Sequence, residues 1–411
     1  MQKGVFRDAP PATALKNAGN KNLVKVSFLA TNPETNPPAY DAIIVGAGTA
    51  GCIAARELAK GGAKALVLEE DITAGKQGKC TAIFSKAGLE SLGVDYSRSV
   101  LNELSGAKIR AGNNLLEINA NETKALVLDR FLFDAQCAIE AQNAGAKILF
   151  AQKAISFSRN DGGAVVVETQ NALSGEKSKF SAKFLIGADG LSSSVAKAFS
   201  FPEIPAKDFV LCYEAEYANA FVRSQRSVEL FLDAKEYPGF FAWIVPCGES
   251  CVRVGLGTGK PALLDAARNK FFSEYSDVAY ALVRGRAKKK REFYAMIPLT
   301  TRSKTQDGNV LLVGDAAGQV KATTGGGVIF GGLCAKIAAQ EILSALKGGG
   351  MPQYEKKWRE KYGNALSLHR FIRSFYNLLC NWSIRFFLQA AGLLGVNRFL
   401  EKRGDMDYVV K

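Results

Sequence analysis

Residues 40–69 constrain this chain more than any other stretch. Tyr40-Asp41-Ala42-Ile43-Ile44-Val45 reads as a short buried strand, and Gly46-Ala47-Gly48-Thr49-Ala50-Gly51 follows it as GxGxxG. Residues 52–60 have the pattern of a helix and 65–69 that of a second strand, so the glycines open a βαβ unit of about 30 residues. Gly46 permits the tight turn, Gly48 lets a pyrophosphate approach the backbone, and Gly51 lets helix and strand pack closely. With Ala50 they form a loop suited to phosphates, because the helix N-terminus offers unpaired N–H groups and a positive dipole end. Glu69 ends the second strand, where its carboxylate can accept bonds from ribose hydroxyls and disfavours a 2′-phosphate. The unit predicts dinucleotide binding.

Two further strand ends carry a carboxylate among small residues. One is Phe184-Leu185-Ile186-Gly187-Ala188-Asp189-Gly190; the other is Val310-Leu311-Leu312-Val313-Gly314-Asp315-Ala316-Ala317-Gly318. Either aspartate alone reads equally well as a turn or helix cap. In this order after a GxGxxG they look like a flavoprotein. The chain resembles FAD-dependent oxidoreductases of the para-hydroxybenzoate-hydroxylase-like superfamily and, more narrowly, the geranylgeranyl reductase family, including archaeal digeranylgeranylglycerophospholipid reductase-like members. The narrower likeness rests on Lys79-Cys80-Thr81-Ala82-Ile83-Phe84-Ser85, on Leu92-Gly93-Val94, on Pro238-Gly239-Phe240-Phe241-Ala242-Trp243-Ile244-Val245-Pro246, and on the run from Gly314 through Lys321 to Gly325-Gly326-Gly327. It spans roughly residues 40–350.

The resemblance implies an α/β (α+β) chain: a Rossmann-like FAD-binding domain, an inserted antiparallel-sheet substrate domain and a C-terminal helical tail. Residues 39–92, 129–200 and 292–350 would form the discontinuous FAD-binding domain, 93–128 and 201–291 the substrate domain, 351–411 the tail, and 1–38 a flexible extension. FAD would be held by Gly46, Gly48, Ala50, Gly51 and Glu69, by Arg130, by Gly314 and Asp315, and by the loop Gly325, Gly326, Gly327, with Asp189 in a motif linked to the cofactor. Cys80 would lie near the flavin ring as the candidate catalytic residue. Phe241, Trp243 and Pro246 would contact substrate. Strand alternation puts Phe241, Trp243 and Val245 on one face and Phe240, Ala242 and Ile244 on the other. Val320-Lys321-Ala322-Thr323 lacks a proline common in related hydroxylases, and Phe241 stands where flavin halogenases carry a first tryptophan. The implied reaction is reduction of isolated C=C bonds in geranylgeranyl diphosphate or a digeranylgeranylglycerophospholipid, with NAD(P)H or ferredoxin as electron donor. The sequence shows no obvious acid to supply the proton.

Composition narrows the partners. The 411 residues are 47% hydrophobic and 22% charged, which excludes a disordered, collagen-like or disulfide-rich scaffold. The net charge of +14 predicts an anionic partner. Residues 351–411 hold 11 Lys/Arg against 5 Asp/Glu, and Phe371, Phe375, Leu378, Leu379, Trp382, Phe386 and Phe387 recur at helical spacing, interleaved by Arg370, Arg373 and Arg385. A basic helix with large aromatics predicts contact with a membrane surface, and hence a cytoplasmic enzyme peripheral to the inner face of the membrane. Six of the eight residues 284–291 are Lys or Arg, without interleaved aromatics, which reads as a solvated loop or a lipid-phosphate contact and not as a nucleic-acid site. The eight cysteines form no CxxC pair and read as reduced thiols of a cytosolic protein; no metal site is expected. His369, the single histidine, reads as a surface residue. A monomer is expected. The competing readings are a flavin-dependent monooxygenase of an aromatic or polyene substrate and a non-catalytic isoprenoid-binding flavoprotein.

Overall fold

Two sheets share the work of the chain. A computed structural model describes residues 40–75, 78–274 and 287–410, all within a unit that begins at Pro37. The predicted extension 1–38 lies outside the described residues. The first sheet runs in the order Gln306–Asp307, Val310–Leu312, Lys177–Gly187, Tyr40–Val45, Ala65–Leu68, Lys147–Leu149. Its central pairs are parallel, and its central strands are buried on both faces. That explains why they read as continuous apolar runs without alternation. Val165–Asn171 and Gln152–Arg159 extend it as an antiparallel flank. Helices Thr49–Lys60, Arg130–Asn143 and Val328–Leu346 cover one face through a common apolar core. Val328–Leu346 is long and apolar enough to cross a membrane, but 67% of it is buried inside the protein against the first helix.

The second sheet has seven strands, ordered Lys288–Pro298, Phe209–Ala218, Cys251–Thr258, Ala242–Pro246, Ser227–Phe231, Gly106–Ala111, Asn114–Asn119. It is antiparallel except where Ser227–Phe231 runs beside Gly106–Ala111. Lys288–Pro298 pairs with Phe209–Ala218 along its length, so this sheet continues past residue 291 to Pro298. The basic run is corrected accordingly: Lys288 to Arg291 belong to a strand and not to a loop, while 284–286 lie outside the described residues. A small three-stranded sheet, Ile83–Ser85, Ala125–Leu128 and Val100–Leu104, lies between the two larger ones in the chain's path.

The cysteine expectation also needs correction. Cys247 and Cys251 are joined in a disulfide. They flank the turn between Ala242–Pro246 and Cys251–Thr258, where antiparallel pairing brings their Cα atoms to 4.9 Å, a separation a disulfide spans. Glu216 lies with these sulfurs in the single three-ligand grouping found among the described residues, but its carboxylate is taken by Arg253 and Arg291.

The tail is helical in segments, Tyr354–Trp358, Asn364–Tyr376, Asn381–Leu393 and Val396–Arg403, then closes with a short strand pair, Gly404–Asp405 and Val409–Val410. Ile384 and Leu388 pack on Ala111 and Leu116 of the second sheet. The tail therefore folds back over the second sheet, and its last turn returns to Ser85 and Lys321 through Asp407.

Candidate active site

The glycine loop is built as its spacing requires. Gly46 has φ +101°, and a Cβ there would meet the Ala188 carbonyl oxygen at 2.5 Å. A Cβ on Gly51 would fall 2.0 Å from the Gly46 carbonyl oxygen, so strand and helix touch only through glycine. A Cβ on Gly48 would meet nothing within 4 Å: the space beside it is open. Ala50 packs at 3.2 Å from the position of a Cβ on Gly314, tying the loop to the third motif. Glu69 turns its carboxylate onto this loop; Oε2 accepts the Ala47 amide at 2.6 Å and Oε1 that of Asp71 at 2.9 Å. Burial raises its pKa despite these two donors.

A cavity of about 1140 Å³ opens between the second sheet, the small three-stranded sheet, the loop at residues 320–327 and the tail. It lies at the large end of ordinary ligand pockets, which run to about 1,000 Å³. Cys80, Arg130, Asp315, Gly325, Gly326, Gly327, Phe241 and Trp243 all line it. Gly46, Gly48, Ala50, Gly51, Glu69, Asp189, Pro246 and Gly314 do not. Arg130 opens its helix, where Asp129 caps the Phe131 and Leu132 amides. Its guanidinium pairs with Asp134 at 2.8 Å, while Asp134 accepts from Thr49 at 2.7 Å. A continuous polar path thus joins the glycine loop to the cavity. Burial opposes the Arg130 charge, but Asp134 and Cys80 raise its pKa. Its Nε is buried and has no partner among the described residues.

Asp315 lines the cavity and is exposed, though atoms crowd around its carboxyl. Burial pushes its carboxyl up and Arg130 pulls it down. A Cβ on Gly327 would lie 2.7 Å from Asp315 Oδ1, so glycine lets the two close. Asp189 is engaged elsewhere: its carboxylate accepts from the Ser193 and Ser194 hydroxyls and the Ser194 and Val195 amides at the start of Ser194–Ala198. Pro246 ends its strand buried, its carbonyl accepting from Asn102 at 3.0 Å.

The aromatic wall departs from simple alternation. Phe240 shares a core with Phe241 and Trp243, stacks on Phe241 at 4.3 Å and also lines the cavity. The strand begins only at Ala242, and Gly239 at φ +75° turns the chain just before it, so the two-residue period does not reach Phe240. On the far face Ala242 and Ile244 pack into a separate apolar core.

Three groups lie in the cavity without having been singled out for it. Glu214 is 1% exposed on Phe209–Ala218. Lys321 reaches Asp407 at 2.6 Å and the Met406 carbonyl at 2.9 Å, both buried. His369, expected on the surface, is 2% exposed instead; Nδ1 meets the Thr323 hydroxyl at 2.7 Å and Nε2 the Asp407 carbonyl at 2.8 Å. The cause is the tail's return over the cavity, which no local pattern around His369 announces. For Glu214 a signal existed: Val210, Cys212, Glu214 and Glu216 alternate on one strand face, and the first two are buried.

Residues 39–353 match the family model described as an FAD binding domain. Over 374 residues the chain is 30% identical to an uncharacterized protein of Methanocaldococcus jannaschii, covering 90% of this chain and 92% of that one. It is 29% identical over 347 residues to the digeranylgeranylglycerophospholipid reductase of the same organism, covering 80% and 85%. Among solved structures, a geranylgeranyl bacteriochlorophyll reductase-like protein from Thermoplasma acidophilum matches with TM-score 0.79 at 21% identity, over 86% of this chain and 91% of that one. The flavin-dependent brominase Bmp2 matches with TM-score 0.72 at 16% identity, over 90% and 94%, so the fold itself hosts several chemistries.

Proposed function

Because this chain belongs to the FAD-binding-domain family, we propose that it is an FAD-dependent reductase that saturates C=C bonds of geranylgeranyl chains in isoprenoid ether lipids. The residues present fit the cofactor. The open space at Gly48 admits a phosphate, the buried, unpartnered Nε of Arg130 has a bond left to give, and Asp315 with Gly327 offers a carboxylate and a close backbone to a ribityl chain and ring edge. Gly46, Gly48, Ala50, Gly51 and Glu69 hold the ADP half; Gly314, Asp315 and the glycines 325–327 hold the flavin end. Asp189 acts by capping and not by contact. When bound and reduced, FAD supplies hydride.

The observation that carries the reading is the cavity's composition. Arg130, Asp315 and Cys80 line it together with Ile83, Ile109, Leu230, Phe240, Phe241 and Ile297, whose apolar walls suit an isoprenoid chain. Phe241 and Trp243 orient the chain, Cys80 lines the approach, and the apolar walls exclude water from the reacting bond. The relatives named digeranylgeranylglycerophospholipid reductase support the substrate class.

The tail supports a membrane-borne substrate. Phe371, Phe375, Leu378, Trp382, Phe386, Phe387, Leu393 and Leu394 are exposed on its helices, with Trp382 stacked on Phe386 and Phe375 against Phe387. Such a patch on a basic segment suits an interface with anionic headgroups, which supports the reading of a cytoplasmic enzyme peripheral to the inner face of the membrane. The test is anaerobic incubation of chemically reduced holoprotein with digeranylgeranylglycerophospholipid or geranylgeranyl diphosphate. Lipid mass spectrometry should show two hydrogens gained per reduced bond; both lipids left unsaturated would sink the proposal.

A further inference from the structure

Resting on the reductase reading above, we infer that Glu214 is the acid of this site: it holds the proton that the alkene receives and passes it through the Thr81 hydroxyl. Glu214 and Thr81 both line the cavity. Thr81 Oγ1 and Trp243 Nε1 bond the same oxygen, Glu214 Oε2, the indole at 3.0 Å. Glu214 Oε1 is buried and has no partner among the described residues. An ionised carboxylate spreads its charge over both oxygens, and a bare buried oxygen then costs heavily. A neutral acid lessens that cost: Oε1 is then an uncharged carbonyl oxygen, the Oε2 hydroxyl faces the Thr81 oxygen, and the group needs no counter-charge.

The surrounding charges are committed elsewhere. Arg253 gives Nε to Glu216 at 2.9 Å and Nη1 to the carbonyls of Thr81 and Leu128 at 2.7 and 3.2 Å. Arg291 gives Nε to Glu216 at 3.2 Å and Nη1 to the Gly78 carbonyl at 3.0 Å. Cys212, buried on the same strand face, is neutral: burial pushes its thiol well up. Burial likewise raises the Glu214 carboxyl, outweighing the pull of Thr81, Arg253, Trp243 and Arg291.

The step balances as follows. The alkene π bond breaks, and one carbon receives hydride from the reduced flavin, which is thereby oxidised. The other carbon receives the Thr81 hydroxyl proton as Glu214 gives its own to the Thr81 oxygen. Glu214 is left ionised and regains a proton from water after product leaves.

The experiment uses the FAD-loaded protein. Infrared spectra at pH 7 should contain a protonated-carboxyl stretch that is absent from Glu214→Gln and present, shifted, in Glu214→Asp. In anaerobic single turnover with reduced holoprotein and digeranylgeranylglycerophospholipid, Glu214→Gln should slow flavin reoxidation by roughly 10²-fold or more. It should also abolish the fall in rate at alkaline pH, with lipid binding kept. Thr81→Val should slow the step in the same direction and Glu214→Asp should recover part of it. A pH 7 spectrum unchanged by Glu214→Gln, or reoxidation within threefold of wild type, overturns the assignment while the reductase reading stands. If wild type reduces neither lipid, the reductase reading falls and the assignment falls with it.

Discussion

The Trp243 indole lies across Gly255 to reach Glu214, its Nε1 donating to Oε2 at 3.0 Å. The three residues sit in one row of adjacent strands, Trp243 opposite Gly255 and Gly255 opposite Glu214. A Cβ at Gly255 would fall 2.4 Å from the indole Cζ2. The missing side chain is therefore what lets a tryptophan two strands away bond a carboxyl. Gly255→Ala should displace the indole, break the bond and cost about 1–3 kcal/mol by overpacking. Guanidinium unfolding measures the loss, and tryptophan emission reports the changed environment. Unaltered emission and stability would show that the row does not depend on glycine.

Lys321 and Asp407 make a second long-range link. Their side chains are 5% and 1% exposed and meet at 2.6 Å. Asp407 also accepts from Ser85, whose hydroxyl oxygen in turn accepts the Gly88 amide and caps the helix Lys86–Leu92. One carboxylate thus joins the end of the tail, the loop leading to Gly325 and the segment beside Cys80. Asp407→Ala leaves a buried ammonium unpaired, a change that costs about 3–5 kcal/mol in comparable sites. Chemical unfolding should show a loss of that order, and limited proteolysis should cut the tail after residue 376 sooner than in wild type. A loss below 1 kcal/mol would mean that water compensates the lysine.

What was legible followed from demands that are local. Gly46 and Gly51 are needed because backbone meets backbone within a few residues, and a sequence states that directly. The buried parallel strands were visible as apolar runs for the same reason. Phe240 was misplaced because alternation counts only inside a strand, and after the turn at Gly239 the strand starts at Ala242, two residues later than the pattern suggests. Cys247 and Cys251 pair because a hairpin folds them together, which depends on the turn and not on their spacing. Glu214, Lys321 and His369 were missed or misread because their partners, Trp243, Asp407 and Thr323, come from elements far away in sequence.

His369 should make stability depend on pH. Nε2 faces the Asp407 carbonyl, which only accepts, so Nε2 carries the hydrogen and Nδ1 accepts from Thr323. Burial lowers its pKa below the ordinary 6.5, aided by the Lys321 charge and opposed by Asp407 and the bond to its carbonyl. The unfolded chain therefore binds this proton at a higher pH than the folded one. The contribution is complete above pH 6.5 and is lost as pH falls below that value toward the depressed folded pKa. Guanidinium unfolding at pH 7.5 and pH 5.5 should show wild type losing more stability on acidification than His369→Gln. Equal losses would place the titration elsewhere.

The exposed tail patch carries the membrane expectation and can be tested without touching the cavity. Trp382 is 72% and Phe386 53% exposed, and neither lines the cavity. Their removal should leave the fold intact, since the buried contacts of this helix are made by Ile384 and Leu388 on the opposite side. Burying an aromatic of this size in an apolar phase contributes about 1.5–3 kcal/mol. The pair Trp382→Glu with Phe386→Glu should therefore lower binding to vesicles containing anionic lipid by at least about tenfold. Flotation measures the bound fraction, and raised salt should weaken wild-type binding further by screening the basic residues around the patch. Turnover of geranylgeranyl diphosphate dispersed without vesicles should stay at the wild-type level. Binding undiminished in the double variant would remove the tail from membrane attachment and assign the exposed aromatics another partner.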